Sequence, residues 1–97
     1  VYHSNMHLND FARRLRTVGD QSRLRVLCHL IKKKQLCVSE IAHDLDMSVA
    51  TTSHHLQVMA KDGLVVRVRE GKRVCYSLPR TALMADFKRF ICAHAKV

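Results

Sequence analysis

Tryptophan is absent from the 97 residues, and aromatic side chains make up only 5% of them. A core must therefore be aliphatic, assembled from Leu, Val, Ile and Met. No apolar run approaches the roughly 18–20 residues that a membrane span needs, and no signal peptide is read at the start. The four cysteines (Cys28, Cys37, Cys75 and Cys92) include no Cys-x-x-Cys pair. Their irregular spacing argues against a secreted disulfide scaffold and for reduced thiols in a cytoplasmic protein. No nucleophile elbow, glycine-rich phosphate loop or paired-carboxylate arrangement is present, so an enzyme is not expected. Internal repeats and low-complexity segments are missing as well.

Acidic residues are also scarce. Eight Asp and Glu stand against 17 Lys and Arg, a formal charge of +9. Solubility alone asks for a net charge of only about 2–8 in a small domain. The excess is the footprint of a polyanionic partner, with nucleic acid favoured. A membrane surface is the rival, and it would call for a basic amphipathic helix with bulky apolar anchors. Residues 1–97 are read as a single domain. A chain this short buries only about 60–70% of its unfolded surface, so a dimer interface would add to a marginal core.

Periodicity divides the chain. Residues 1–8 read as a loose lead-in. Leu8, Phe11, Leu15 and Val18 then recur at helical spacing until Gly19. Asp20 or Ser22 can cap a second helix carrying Leu24, Leu27, Leu30 and Ile31. It ends in Lys32-Lys33-Lys34, a run that suits a helix C-terminus better than a dedicated phosphate site. Ser39 is read as the residue before a short third helix with Ile41, Ala42 and Leu45 inward. Ser48 caps a fourth that runs to Lys61, with Thr52, Leu56 and Met59 inward, and Asp62-Gly63 closes it.

The period then changes. Leu64 to Arg69 and Val74 to Leu78 flank a Glu70-Gly71-Lys72 turn, which predicts a hairpin. Pro79 and Thr81 open a last helix over 80–95, with Leu83, Phe87, Phe90 and Ile91 on one stripe. The expected fold is mostly α with a β-hairpin wing (α+β), in the order α-α-α-α-β-β-α. Residues 39–61 form a helix-turn-helix and residues 64–78 its wing.

A recognition helix needs one apolar face for its own core and one short polar face for base edges. Ser48, Val49, Ala50, Thr51, Ser53, His54 and Gln57 supply the second face. Small residues early in the helix allow close approach, and Val49 and Ala50 suit a thymine methyl. Read alone, the segment also fits an ordinary amphipathic surface helix. Arg67, Arg69, Lys72 and Arg73 on the hairpin add cations for phosphate or minor-groove contact. A winged protein-interaction module is the rival from another class, and it would not need that basic wing.

The runs Gly19-Asp20-Gln21-Ser22-Arg23-Leu24-Arg25-Val26-Leu27, Leu36-Cys37-Val38-Ser39-Glu40-Ile41-Ala42, Ser53-His54-His55-Leu56 and Gly63-Leu64-Val65, followed by Arg69-Glu70-Gly71-Lys72 and Tyr76-Ser77-Leu78, resemble the ArsR–SmtB family of bacterial repressors. The resemblance extends over residues 9–78. It implies a homodimer held by the first and last helices, binding to an inverted-repeat operator in double-stranded DNA, and release by an effector. Apolar stripes on both outer helices support dimerisation independently, through Leu8, Phe11, Leu15, Leu83, Phe87, Phe90 and Ile91.

Three effector readings follow from the resemblance. Soft-metal sensors of the family are similar at Cys37 but carry a second cysteine where Ser39 stands here. His3 and His7 offer further donors, though an unliganded apolar Cys37 is the simpler reading. The zinc sensors' last-helix site is broken, with Asp86 followed by Lys88 in a histidine's place and His94 alone. Relatives that sense oxidants or reactive sulfur carry cysteines like Cys28 and Cys92. Arg25, His29, Lys88 and Arg89 would favour thiolate there, against a plain packed core thiol for Cys28. No cofactor is required on the thiol reading, and a bound metal ion belongs to the alternative. Cys75 is left without a partner.

Overall fold

The computed structural model describes residues 6–96. His3, and with it most of the expected lead-in, lies outside the described residues. The elements are α1 (Leu8–Val18), α2 (Gln21–Lys33), β1 (Gln35–Cys37), α3 (Val38–Asp44), α4 (Val49–Lys61), β2 (Val66–Glu70), β3 (Arg73–Ser77) and α5 (Ala82–His94). The winged helix-turn-helix is therefore the observed architecture. It carries one element beyond the expected order. β1 is a three-residue strand that pairs antiparallel with β3, so the sheet runs β1-β3-β2. Two of its three residues, Leu36 and Cys37, are buried in succession, and so short a run shows no alternation.

Helix boundaries follow capping chemistry. Of the two caps open for α2, Asp20 serves, its carboxylate accepting the Arg23 N–H at 3.0 Å. Ser48 Oγ accepts from Thr51 N–H at 3.0 Å and Thr81 Oγ1 from Met84 N–H at 3.1 Å. The start of α3 corrects the expectation. Cys37 occupies the cap position, Ser39 lies inside the helix, and the Glu40 carboxylate reaches back to the Cys37 N–H at 2.8 Å. His7 caps α1, its Nδ1 accepting from Asn9 N–H at 3.1 Å. Gly71 takes φ 62°, the left-handed conformation that the wing turn requires.

The core is aliphatic, with Val26, Leu27, Leu30, Ile41, Leu56, Met59 and Leu64 fully buried. Each such side chain stabilises the fold by about 1.5–3 kcal/mol relative to exposure. The stripe assigned to α5 needs correction. Phe87 and Ile91 are only 8% and 7% exposed and pack with Met84 into the protomer's own core. Helical period explains it: positions 84, 87 and 91 share the inner face, which leaves Phe90, 65% exposed, on the outer one. Leu8, Phe11 and Leu15 stay exposed on α1 and Leu83 is half-buried. The apolar surface left for a partner is thus narrower than the sequence suggested.

Candidate nucleic-acid interface

α4 divides as its sequence requires. Thr52, Leu56 and Met59 are buried, while Ser48, Val49, Ala50, Thr51, His54 and Gln57 are exposed and Ser53 is half-buried. Thr52 Oγ1 bonds the Ser48 carbonyl at 2.8 Å, so its hydroxyl is satisfied inside the fold. Gln57 Nε2 donates to Ser53 Oγ at 3.0 Å, one turn away, and holds two polar side chains of the outer face together. His54 points outward. His55 is half-buried, with its Nδ1 3.4 Å from Arg23 Nη1.

The wing stands beside this face. Arg67, Arg69, Lys72 and Arg73 are all exposed along β2, the turn and β3. A cleft of about 420 Å³ lies between the two, lined by Val49, Ser53 and Gln57 of α4 and by Arg67, Arg73 and Tyr76 of the wing. Short polar groups and guanidinium cations thus converge on one surface, an arrangement that suits base edges flanked by phosphates. Arg73 also pairs with Glu40 of α3 at 3.4 Å.

A clasp fixes α4 from behind. Asp62, just past its end, is buried and accepts from Thr17 Oγ1 at 2.6 Å and Arg13 Nε at 3.0 Å, while Arg14 Nε donates to its carbonyl at 2.8 Å. Burial pushes the Asp62 carboxyl up, but the hydrogen bonds from Thr17 and Arg13, with the charges of Arg13 and Arg14, outweigh it and hold the group below its ordinary value of 3.8. A lowered native pKa contributes stability that is complete above the unfolded value and is lost as pH falls through the native one. The stability gap between the protein and Asp62→Asn should therefore be constant from neutral pH to about pH 5 and shrink under about pH 4. Thermal unfolding across that range measures it, and a gap that widens on the acid side would contradict the assignment.

The cysteines form two pairs. Cys28, buried on α2, and Cys92, exposed on α5, line one cavity of about 230 Å³ together with Ile31, Lys32, Ile91 and Ala95. Burial chiefly, and Cys92 beside it, push the Cys28 thiol above its ordinary value, with Lys32 opposing. For Cys28 that corrects the expectation of a thiolate favoured by nearby cations. His29 instead bonds Asp44 at 2.7 Å, Arg25 donates to the Leu45 carbonyl at 3.1 Å, and Arg89 pairs with Asp86.

Cys37 and Cys75 are opposed across β1 and β3 and joined by a disulfide. The expectations of four free thiols and of an unpartnered Cys75 are thereby overturned. They failed because β1 was not visible in the sequence. A soft-metal site centred on Cys37 does not fit these donors. Its sulfur is bonded to Cys75, His7 Nδ1 caps α1, and His94 stacks near Phe90 at 4.9 Å between ring centroids. Among the described residues no group of three or more His, Cys, Asp or Glu could hold a metal ion. Also among them, no helix is long and apolar enough to cross a membrane.

Comparison with known proteins agrees with the geometry. Residues 20–66, from the α2 cap to the start of β2, match the model of the bacterial regulatory protein, arsR family. The cadmium resistance transcriptional regulatory protein CadC of Listeria innocua is 39% identical over 67 residues, 69% of this chain and 56% of that protein. The chain thus spans little more than half the length of that relative. The transcriptional activator HlyU of Vibrio cholerae is 34% identical over 71 residues, 73% of this chain and 65% of that protein. Its solved reduced form superposes with a TM-score of 0.78 at 27% identity, covering 91% of this chain and 92% of that one. The homodimeric winged helix-turn-helix domain of Mb0332 from Mycobacterium bovis gives 0.80 at 25% identity, covering 99% and 94%. With the sequence motifs, the element order and these matches in agreement, the chain belongs to the ArsR family of winged helix-turn-helix regulatory proteins.

Proposed function

We propose that the protein is a homodimeric transcriptional repressor that binds an inverted-repeat operator in double-stranded DNA and releases it when Cys28 and Cys92 are oxidised or persulfidated. The observation that carries the DNA reading is the convergence of the outer face of α4 and the cationic wing on one cleft. A protein-interaction module would have no use for four exposed cations beside that face. Dimerisation is supported by Leu8, Phe11, Leu15 and Phe90, apolar side chains exposed on the first and last helices, and by the homodimeric Mb0332 domain. Double-stranded DNA as partner supports a cytoplasmic location.

The shared cavity supports the thiol switch. Cys92 is the exposed member and meets an oxidant first. With a peroxide, its thiolate attacks one oxygen, giving a sulfenic acid and releasing hydroxide. The Cys28 sulfur then displaces the sulfenic oxygen as water, and a disulfide forms. The bond would tether α5, a dimer helix, to α2. The raised Cys28 thiol makes the second step faster at higher pH, since thiolate is the attacking species. Peroxide or persulfide treatment should lower duplex affinity, and Cys28→Ser should abolish the response. A Cys28→Ser protein that still responds fully contradicts the switch and leaves the DNA reading standing.

A further inference from the structure

The Cys37–Cys75 disulfide shares no residue with the cavity that Cys28 and Cys92 line. Cys37 caps α3, the first helix of the helix-turn-helix, and lines the cleft between α4 and the wing. Cys75 lies on β3, two residues beyond Arg73 of the wing. The same junction carries a second link, because Glu40 accepts the Cys37 N–H at 2.8 Å and pairs with Arg73 at 3.4 Å. The covalent bond and the ion pair both tie the start of α3 to the strand that carries the wing. They meet where the candidate DNA surface is assembled from two elements that share no helix.

We propose that Cys37 and Cys75 are a second redox modification site, a dithiol–disulfide couple whose closed form fixes the wing against the helix-turn-helix and strengthens binding to double-stranded DNA. The reactant is a low-molecular-weight disulfide such as oxidised glutathione. One protein thiolate attacks it and expels a glutathione thiolate, and the second protein thiolate then displaces the remaining glutathione. The two protons of the protein thiols end on the two released glutathione sulfurs, and the small disulfide is reduced as the protein pair is oxidised. Opening by a reducing dithiol is the reverse.

Access is gated. Cys37 and Cys75 are both buried, yet β1 is a three-residue strand at the sheet edge with only three register pairs to β3. Local separation of so short an edge strand exposes both sulfurs without unfolding the core. Exchange is consequently slower here than at exposed Cys92. Closure pre-organises the wing and so reduces what must be ordered on binding. Its effect on DNA is opposite in sign to that proposed for Cys28 and Cys92.

The inference rests on the DNA reading, and its test separates the two. In a Cys28→Ser/Cys92→Ser protein, the pair is closed with oxidised glutathione or opened with dithiothreitol, and its state is read by alkylation and mass spectrometry. Affinity for a mixed-sequence 30-base-pair duplex at low salt is then compared. The closed form should carry no alkylated Cys37 or Cys75 and bind about tenfold more tightly, and adding Cys75→Val should erase the difference. Free thiols after glutathione treatment, or equal affinities in the two states, would overturn the inference alone. Binding in neither state would overturn the DNA reading beneath it.

Discussion

Glutamate at both Leu15 and Phe90 is expected to leave the protomer folded, convert it to a monomer and weaken binding to a selected duplex at least about 100-fold. Both side chains are exposed in the protomer, at 45% and 65%, so the substitution removes little from the core. In the dimer the same positions would place four charges in an apolar contact, and like charges brought together there oppose association. The penalty on DNA follows from valency. Two recognition helices held about one helical turn apart engage both half-sites of an inverted repeat, and the second engagement benefits from an effective concentration in the millimolar range. A monomer loses that. Sedimentation, circular dichroism and duplex titration together decide it. A folded monomer that binds as tightly as the parent would contradict the role of these faces.

The second large effect separates base reading from phosphate gripping. Ser53→Ala and His54→Ala remove polar groups from the outer face of α4, and each should reduce affinity for the preferred duplex by about 1–3 kcal/mol while leaving mixed-sequence binding nearly unchanged. Arg69→Ala and Lys72→Ala should weaken both duplexes alike and each lower the salt slope by about two, one phosphate contact being lost in each protomer of the dimer. The wing residues are exposed cations suited to phosphates, whose charge is the same in every sequence, which is why the loss should not depend on sequence. If Lys72→Ala changes preference among duplexes, or His54→Ala weakens all of them equally, the roles given to α4 and the wing are exchanged.

Much of the fold was legible because its boundaries are written in local chemistry. Ser48 caps α4, Asp62-Gly63 closes it, and Gly71 takes the positive φ of the wing turn, each recognisable without tertiary information. The division of α4 into buried Thr52, Leu56 and Met59 and an exposed polar face follows from helical period alone. What was hidden depends on contacts between distant segments. β1 has no alternation of its own and exists because β3 supplies its hydrogen bonds. With β1 unseen, the Cys37–Cys75 pair, 38 residues apart, had no visible reason to form.

The burial of Phe87 and Ile91 reflects how α5 rotates onto the core, which a single apolar stripe does not specify. The cations near Cys28 in sequence turned elsewhere for the same kind of reason. Asp44 and the Leu45 carbonyl, brought close only by the fold, engage His29 and Arg25. Thr17, Arg13 and Asp62 form the clasp behind α4 across 45 or more residues of sequence, and no local signal announced it.

A titration of duplex affinity against salt tests the central claim most directly, performed on the reduced protein with its preferred duplex and with a mixed-sequence one. Each phosphate neutralised contributes about −0.9 to the slope of log affinity against log salt, so a cationic wing in each half of a dimer predicts a steep line for both duplexes, offset in favour of the preferred one. A flat line, or two coincident ones, would contradict an interface built from α4 and the wing.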